Sequence, residues 1–277
     1  MRALRELKLV EAPEPVPGPG EVLVEVRHVS ANHSELKYPH IGGHDAAGII
    51  VEGQGKGGRV VAFGAGAWAE RAVFPASSVA AVPDGVDLAD AAALPMAGLT
   101  ALRTLRAAGP LLGRRVLITG ASGGVGRLAV QLAHRAGAHV IAAARRGEGL
   151  RELGADEVLP SLDGVEPVDV VLELLGGPHL VRAWELLAPG GNLQSIGWSS
   201  GEPAAFTSLF ALGAARSIHS FGDVSEPGPD LATLVDLVDR GLLSPSIGWR
   251  GPWERAGEAA DALFSGQVRG KIVLDVT

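Results

Sequence analysis

No cysteine occurs among the 277 residues. That absence excludes disulfides, thiolate nucleophiles and every cysteine-ligated metal in one step. Lys and Arg never cluster into a run, and the net charge is −7; binding a phosphate backbone needs a concentrated basic footprint, so nucleic acid is excluded as a partner. Long apolar stretches are missing as well. The longest, residues 91–102, is interrupted by Pro95 and Gly98 and falls short of the roughly 20 residues that span a bilayer, so no membrane partner is expected. Met1-Arg2-Ala3 leads into a mixed polar segment without the apolar core and small-residue cleavage site of a secretory signal, and the expected location is cytoplasmic. Aromatic residues make up 4%, with a single tyrosine, Tyr38.

What remains is ordinary for a folded globular chain: 47% hydrophobic and 20% charged residues, far from the signature of disorder. The length is about twice the usual domain of roughly 100–150 residues, which predicts two domains. The 39 glycines follow no fixed period and read as turns and close backbone approaches.

Two grammars share the chain. Residues 1–97 read as β-rich, with strand candidates at 22–29, 46–52, 59–63 and 68–74 punctuated by Gly and Pro. A proline-dense spacer, residues 13–20, precedes the first long strand. From residue 98 to 241 the order becomes strand, helix, strand, helix, the mark of a doubly wound parallel α/β sheet. Its strand candidates are 115–119, 139–144, 157–159, 168–174, 192–198 and 218–221, mostly continuous apolar runs as strands covered on both faces should be. A helix is predicted over 124–135, where apolar residues recur at helical spacing and Gly137 supplies a stop. Residues 242–277 return to mixed character, with a helix near 253–264 and a closing strand over 271–276, and are grouped with the first, β-rich domain.

The strongest chemical signal lies at the end of the first apolar strand of the second grammar: Gly120-Ala121-Ser122-Gly123-Gly124-Val125-Gly126. Ala121, Gly123 and Gly126 fall on the three glycine positions of the dinucleotide fingerprint, with alanine on the first. Gly123 lets the backbone approach a pyrophosphate, Gly126 lets the helix lie close to the strand, and the helix N-terminus offers unpaired N–H groups to the anion. About 20 residues further on, an NAD site would place an acid for the ribose 2′-hydroxyl. This chain has Ala143-Ala144-Arg145-Arg146 instead. Two guanidinium groups suit a 2′-phosphate, through charge-assisted and often bidentate hydrogen bonds, so the expected cofactor is NADPH.

The order of these pieces resembles the medium-chain dehydrogenase/reductase superfamily, and within it the zinc-independent quinone oxidoreductase branch, over nearly the full length. The likeness is carried by Gly18-Pro19-Gly20-Glu21-Val22-Leu23-Val24, by Gly43-His44-Asp45-Ala46-Ala47-Gly48, by Ala92-Ala93-Leu94-Pro95-Met96-Ala97-Gly98-Leu99-Thr100-Ala101, by Leu187-Ala188-Pro189-Gly190-Gly191 and by Arg269-Gly270-Lys271-Ile272-Val273-Leu274. It implies a Rossmann cofactor domain over 98–241 and a smaller β-rich GroES-like catalytic domain over 1–97 and 242–277. The implied activity is hydride transfer from NADPH to a quinone or an α,β-unsaturated carbonyl.

The same resemblance implies site residues. Asn32 stands where zinc-dependent relatives have a cysteine ligand, and is expected beside the nicotinamide, donating a hydrogen bond to the acceptor oxygen. Tyr38 and Lys37 are the expected catalytic neighbours, either one able to supply a proton. Thr100, Leu174, Gly197, Trp198, Phe221 and Lys271 join Gly120, Ala121, Ser122, Gly123, Gly124, Val125, Gly126, Arg145 and Arg146 as expected cofactor positions. No metal is expected; a site of His33, Glu35 and His44 is the alternative, since zinc accepts N and O ligands. A homodimer pairing through the edge strand 218–221 is the expected assembly. The loops around 38–41 and 53–58 are shorter than in typical relatives, which leaves open a non-redox reaction, such as cyclisation or hydration, on the same scaffold.

Overall fold

The computed structural model describes residues 1–208, 212–213 and 215–276, with all their side chains except that of Ile41. It contains two compact units, Met1–Leu99 with Val224–Thr277 and Thr100–Asp223, and the division falls within one helix.

The first unit begins with an antiparallel hairpin of β1 (Arg2–Arg5) and β2 (Lys8–Glu11). Sequence reading had not expected it, because its turn uses Glu6 and Leu7 at φ 49 and 60 in place of glycine or asparagine. Then follow β3 (Glu21–Ala31), α1 (His33–Lys37), β4 (Asp45–Glu52), β5 (Arg59–Phe63), β6 (Arg71–Pro75), β7 (Val79–Ala81), α2 (Leu88–Ala92) and the start of α3 (Pro95–Ala107).

The second unit is one parallel sheet. Its elements are β8 (Arg115–Thr119), α4 (Gly124–Arg135), β9 (His139–Ala143), β10 (Glu157–Leu159), β11 (Val168–Glu173), α5 (Gly177–Glu185), β12 (Leu187–Ser195) and β13 (Ser217–Ser220). The spatial order is β10-β9-β8-β11-β12-β13, all pairs parallel. Counted from β8, that order is 3-2-1-4-5-6, whose switch point between β8 and β11 is where such sheets receive a dinucleotide. Leu117, Ile141, Val171 and Leu193 are fully buried in the sheet's core, as strands covered on both faces require.

The chain returns to the first unit with α6 (Gly228–Asp239), β14 (Ile247–Pro252), α7 (Ala256–Phe264) and β15 (Lys271–Asp275). The larger sheet runs β14-β15-β3-β4-β5-β7, with β6 paired to β3. Trp253, Phe74 and Val24 are fully buried in its core. Long β3, paired to three strands, is the spine: β15 and β4 flank it, and β6 pairs with its first half.

Two expectations need correction. Sequence reading placed residues 98–241 in the cofactor domain, whereas 224–241 group with the first unit. The reason is packing: α6 lies on β7, and a methyl at Gly228 would come within 2.6 Å of the Ser77 carbonyl. The strand expected over 192–198 is β12, Leu187–Ser195. It starts early, with a register shift against β11, and stops where the Ile196 and Gly197 N–H groups both turn to the Glu173 carbonyl, at 2.8 and 3.2 Å. No helix among the described residues is long and apolar enough to cross a membrane.

Candidate active site

In the second unit the fingerprint glycines sit at the carboxyl end of β8. Gly120 has φ 58, a conformation glycine adopts without strain. A methyl at Gly126 would lie 2.6 Å from both Ala121 Cα and the Gly120 carbonyl oxygen, so only glycine lets α4 approach the turn this closely. Gly123 is the N-cap of α4 and provides no side-chain cap; the first-turn N–H groups of Gly124, Val125 and Gly126 therefore lack intrahelical acceptors. Together with the helix dipole they favour an anion there. Ala121 is buried and donates its N–H to the Ala143 carbonyl at 3.1 Å, while Ser122 is half-buried beside it. Thr119 pairs with Ala143 across the strands, which puts the end of β9 beside the turn. Arg145 and Arg146 follow immediately, exposed, and make no hydrogen bond or ion pair among the described residues. Replacing Gly126 with Ala is expected to weaken dinucleotide binding about tenfold or more, because overpacking of this kind costs about 1–3 kcal/mol; unchanged affinity by fluorescence titration would count against the turn as the site.

The neighbouring strand end is organised by an acid that sequence reading passed over. Glu173 is fully buried. Its Oε1 accepts from Thr119 Oγ1 at 2.9 Å and from the Leu175 N–H at 3.0 Å, and its Oε2 accepts from the Gly176 N–H at 2.8 Å. Leu174 N–H donates to Thr119 Oγ1 at 2.9 Å. The loop after β11 is thus tied to β8. The only sequence signal was an acid directly after the apolar run Val170-Val171-Leu172. Leu174 comes against Gly120, where a methyl would meet its Cβ at 3.3 Å, and its carbonyl lies so near Gly197 that a methyl there would be 2.4 Å away. Trp198 is 48% exposed and its ring covers Gly176. Phe221 is half-buried and donates its N–H to the Ser195 carbonyl at 3.0 Å. Thr100 is buried in α3. The structure brings Gly120, Leu174, Gly197 and Trp198 together at the carboxyl edge.

In the first unit, α1 is held by Glu35, whose Oε2 accepts the Asn32 N–H at 2.8 Å and the Asn32 side-chain amide at 3.0 Å. Glu35 Oε1 accepts the His44 N–H at 3.1 Å and lies 2.8 Å from His44 Nδ1. Asp45 Oδ2 accepts from Asn32 Nδ2 at 3.0 Å and from Lys271 Nζ at 3.3 Å, and its Oδ1 accepts the Met96 N–H at 2.9 Å. Lys271 Nζ also donates to Asn32 Oδ1. Glu35, Asp45 and Lys271 are buried, at 1%, 0% and 3% exposure.

This geometry corrects the role expected of Asn32. Both amide protons go to Glu35 and Asp45 and the amide oxygen goes to Lys271, so no proton is left to donate to an acceptor. Lys271 is likewise engaged within the cluster, buried and donating to Asn32 and Asp45. Tyr38 and Lys37 are exposed, with Lys37 Nζ 5.6 Å from the Tyr38 ring centroid and His40 set edge-on to Tyr38 at 6.4 Å. No group of three metal-ligating side chains converges among the described residues, and the Lys271 ammonium lies within the acidic cluster.

Two of these groups hold protons unusually well. Burial pushes the Glu35 carboxyl above the ordinary carboxylate range, while its hydrogen bond to His44 pulls the other way. The hydrogen bond from Glu35 raises His44 above the ordinary imidazole value against partial burial, with the Glu35 and Asp45 charges adding to the effect. Three contacts at the Glu35 carboxyl come from N–H donors, so its oxygens act as acceptors toward Asn32 and the His44 backbone.

Comparison with known proteins places the chain. Residues 18–84 match the alcohol dehydrogenase GroES-like domain and residues 153–274 match the zinc-binding dehydrogenase family. The chloroplast envelope quinone oxidoreductase homolog of Arabidopsis thaliana is 41% identical over 318 residues, covering 97% of this chain and 94% of that protein. The pikromycin polyketide synthase component PikAII of Streptomyces venezuelae is 30% identical over 299 residues, covering 95% of this chain; the chain spans only 8% of that much longer protein. The structure of mycobacterial Rv1454c complexed with NADPH superposes with a TM-score of 0.86 at 26% identity, covering 99% of this chain and 100% of the other. A Rossmann sheet, a GroES-like β unit and near full-length likeness to quinone oxidoreductases together mean that the chain belongs to the medium-chain dehydrogenase/reductase superfamily of oxidoreductases.

Proposed function

We propose that this protein is a zinc-independent, NADPH-dependent oxidoreductase that reduces a quinone or an α,β-unsaturated carbonyl compound. The observation that carries the reading is the uncapped N-terminus of α4 over the Gly126 close approach, with Arg145 and Arg146 at the end of β9. The residues suit the dinucleotide: the turn would hold the pyrophosphate and the arginines the 2′-phosphate. A reduced nicotinamide, when bound, supplies the hydride; the protein's part is to orient the partners and stabilise charge that develops on the acceptor oxygen.

The quinone oxidoreductase likeness supports this acceptor class, and the NADPH-bound neighbour supports the cofactor. The absence of cysteine and the ammonium within the acidic cluster support chemistry without zinc. Strand β13 is the free edge of its sheet, with Ile218 47% exposed, and suits pairing with a second copy as a homodimer. The test is NADPH oxidation against a panel of quinones and enones. Steady turnover with at least one, in protein stripped of metal by a chelator, is the expected result. A tight NADPH complex that reduces nothing would redirect the reading to non-redox chemistry.

A further inference from the structure

Glu173 is fully buried in the second unit, and Thr119 beside it is 1% exposed. The carboxylate accepts from Thr119 Oγ1 at 2.9 Å, from the Leu175 N–H at 3.0 Å and from the Gly176 N–H at 2.8 Å. With its proton given to the acid, the Thr119 hydroxyl accepts the Leu174 N–H at 2.9 Å. Three successive N–H groups are thus fixed by one acid and one hydroxyl. The main-chain carbonyl of Glu173 receives the Ile196 and Gly197 N–H groups at 2.8 and 3.2 Å. A single residue therefore holds both the loop after β11 and the turn after β12. The two segments also hold each other: Ser200 donates its N–H to the Leu175 carbonyl at 2.8 Å, Ser199 Oγ donates to the Leu174 carbonyl at 3.3 Å, and the Trp198 ring covers Gly176.

We infer that Glu173 is a positioning residue for the nicotinamide half of the dinucleotide site, acting through Leu174 and Gly197; this rests on the dinucleotide reading above. In a sheet of this strand order the pyrophosphate crosses at the glycine turn, and the ribose of the adenosine half is read at the end of the second strand. That strand is β9, on one side of β8, so the other half of the cofactor lies on the opposite side, over the ends of β11 and β12. Leu174 and Gly197 sit there, packed so closely that a methyl at Gly197 would come within 2.4 Å of the Leu174 carbonyl. An acid suits the position because three donors converge on it. A carboxylate offers acceptors only, whereas an amide would turn one N–H against another. A buried N–H without its acceptor is costly enough to displace the loop, and the displacement reaches Leu174 and Gly197 while the arginines after β9 keep their place.

The experiment uses the full chain and two ligands, titrated by calorimetry: NADPH, and adenosine 2′,5′-bisphosphate, which carries the adenosine half without the nicotinamide. Glu173→Gln is expected to raise the Kd for NADPH about tenfold and to leave the bisphosphate within about twofold. The fluorescence of bound NADPH, which reports the surroundings of the nicotinamide, should move toward that of the free cofactor. Thr119→Val, which removes the hydroxyl under the Leu174 N–H, should act in the same direction, and Thr119→Ser, which restores it, should behave as the wild type. A purely structural role would lower thermal stability and weaken both ligands alike. Unchanged NADPH affinity, or equal weakening of both ligands, in a folded Glu173→Gln overturns this role alone. Should that variant fail to fold, the same comparison is read from Thr119→Val against Thr119→Ser. A wild-type chain that binds neither ligand overturns the dinucleotide reading, and this proposal with it.

Discussion

Lys271→Met is expected to cost about 3–5 kcal/mol of folding stability, the size seen when one partner of a buried ion pair is removed. The side chain it replaces is 3% exposed and faces Asp45, itself fully buried. In water a carboxylate is solvated; here Asp45 has the Met96 N–H, the Asn32 amide and the Lys271 ammonium. Methionine fills much of the volume but leaves the charge without its cation and the Asn32 oxygen without a donor, and an unmet buried acceptor alone costs about 1–3 kcal/mol. Chemical denaturation should register a lower midpoint at unchanged slope. The companion variant Lys271→Met with Asp45→Asn should recover part of the loss, since it removes the charge as well as its partner. A single substitution that costs less than about 1 kcal/mol, with no recovery in the double, would mean that the pair is not formed in solution. The same ammonium also holds the Asn32 amide oxygen.

That network shows where sequence reading stops. The boundaries of α4 were legible, Gly124–Arg135 in both sequence and structure, because an amphipathic repeat lies between two glycines, one required for close approach and one ending the helix at φ 79. The parallel sheet was legible because its central strands β8, β9 and β11 are largely buried apolar runs, each followed by a turn signal. Nothing local, however, pairs Asn32 with Lys271, which are 239 residues apart. Asn32 read as a donor because the family resemblance puts its position beside the nicotinamide; in the structure its amide protons go to Glu35 and Asp45, and the partner of its amide oxygen comes from β15, brought alongside β3 by antiparallel pairing. Helix α1, five residues long, was invisible for a related reason. It is too short for periodicity, and a buried glutamate bonded to Asn32 and His44 holds it. Glu173 escaped notice because an acid at a strand end usually faces water, and only the closure of the loop after β11 over Thr119 makes it a buried acceptor. Local pattern thus found the cofactor turn, and tertiary pairing made the acid cluster.

Replacing both Arg145 and Arg146 with Ala should raise the Kd for NADPH about 100-fold while leaving NADH within about threefold. The two cofactors differ only in the 2′-phosphate, so the difference isolates whatever binds that group. Hydrogen bonds to a charged partner contribute about 1.5–3 kcal/mol each, and two such contacts, discounted for exposure and salt, leave about 2.7 kcal/mol, which is the 100-fold expected. The location supports the assignment: β9 ends at Ala143, Ala144 is tied to β10 through its N–H on the Leu159 carbonyl at 2.9 Å, and the arginines are the next two residues, solvent-exposed and making no bond to the protein among the described residues. Free of internal partners, they lose nothing on meeting a phosphate except solvation and rotamer freedom. Their exposure also makes the interaction screened, so the preference for NADPH over NADH should shrink as ionic strength rises, and the variant should have little preference left to lose. Single substitutions separate the two contributions, and near-additive losses would mean that each arginine reaches the phosphate independently. Equal weakening of both cofactors in the double variant would place the arginines on the shared pyrophosphate or the adenosine, and the 2′-phosphate would then need another partner on this sheet edge.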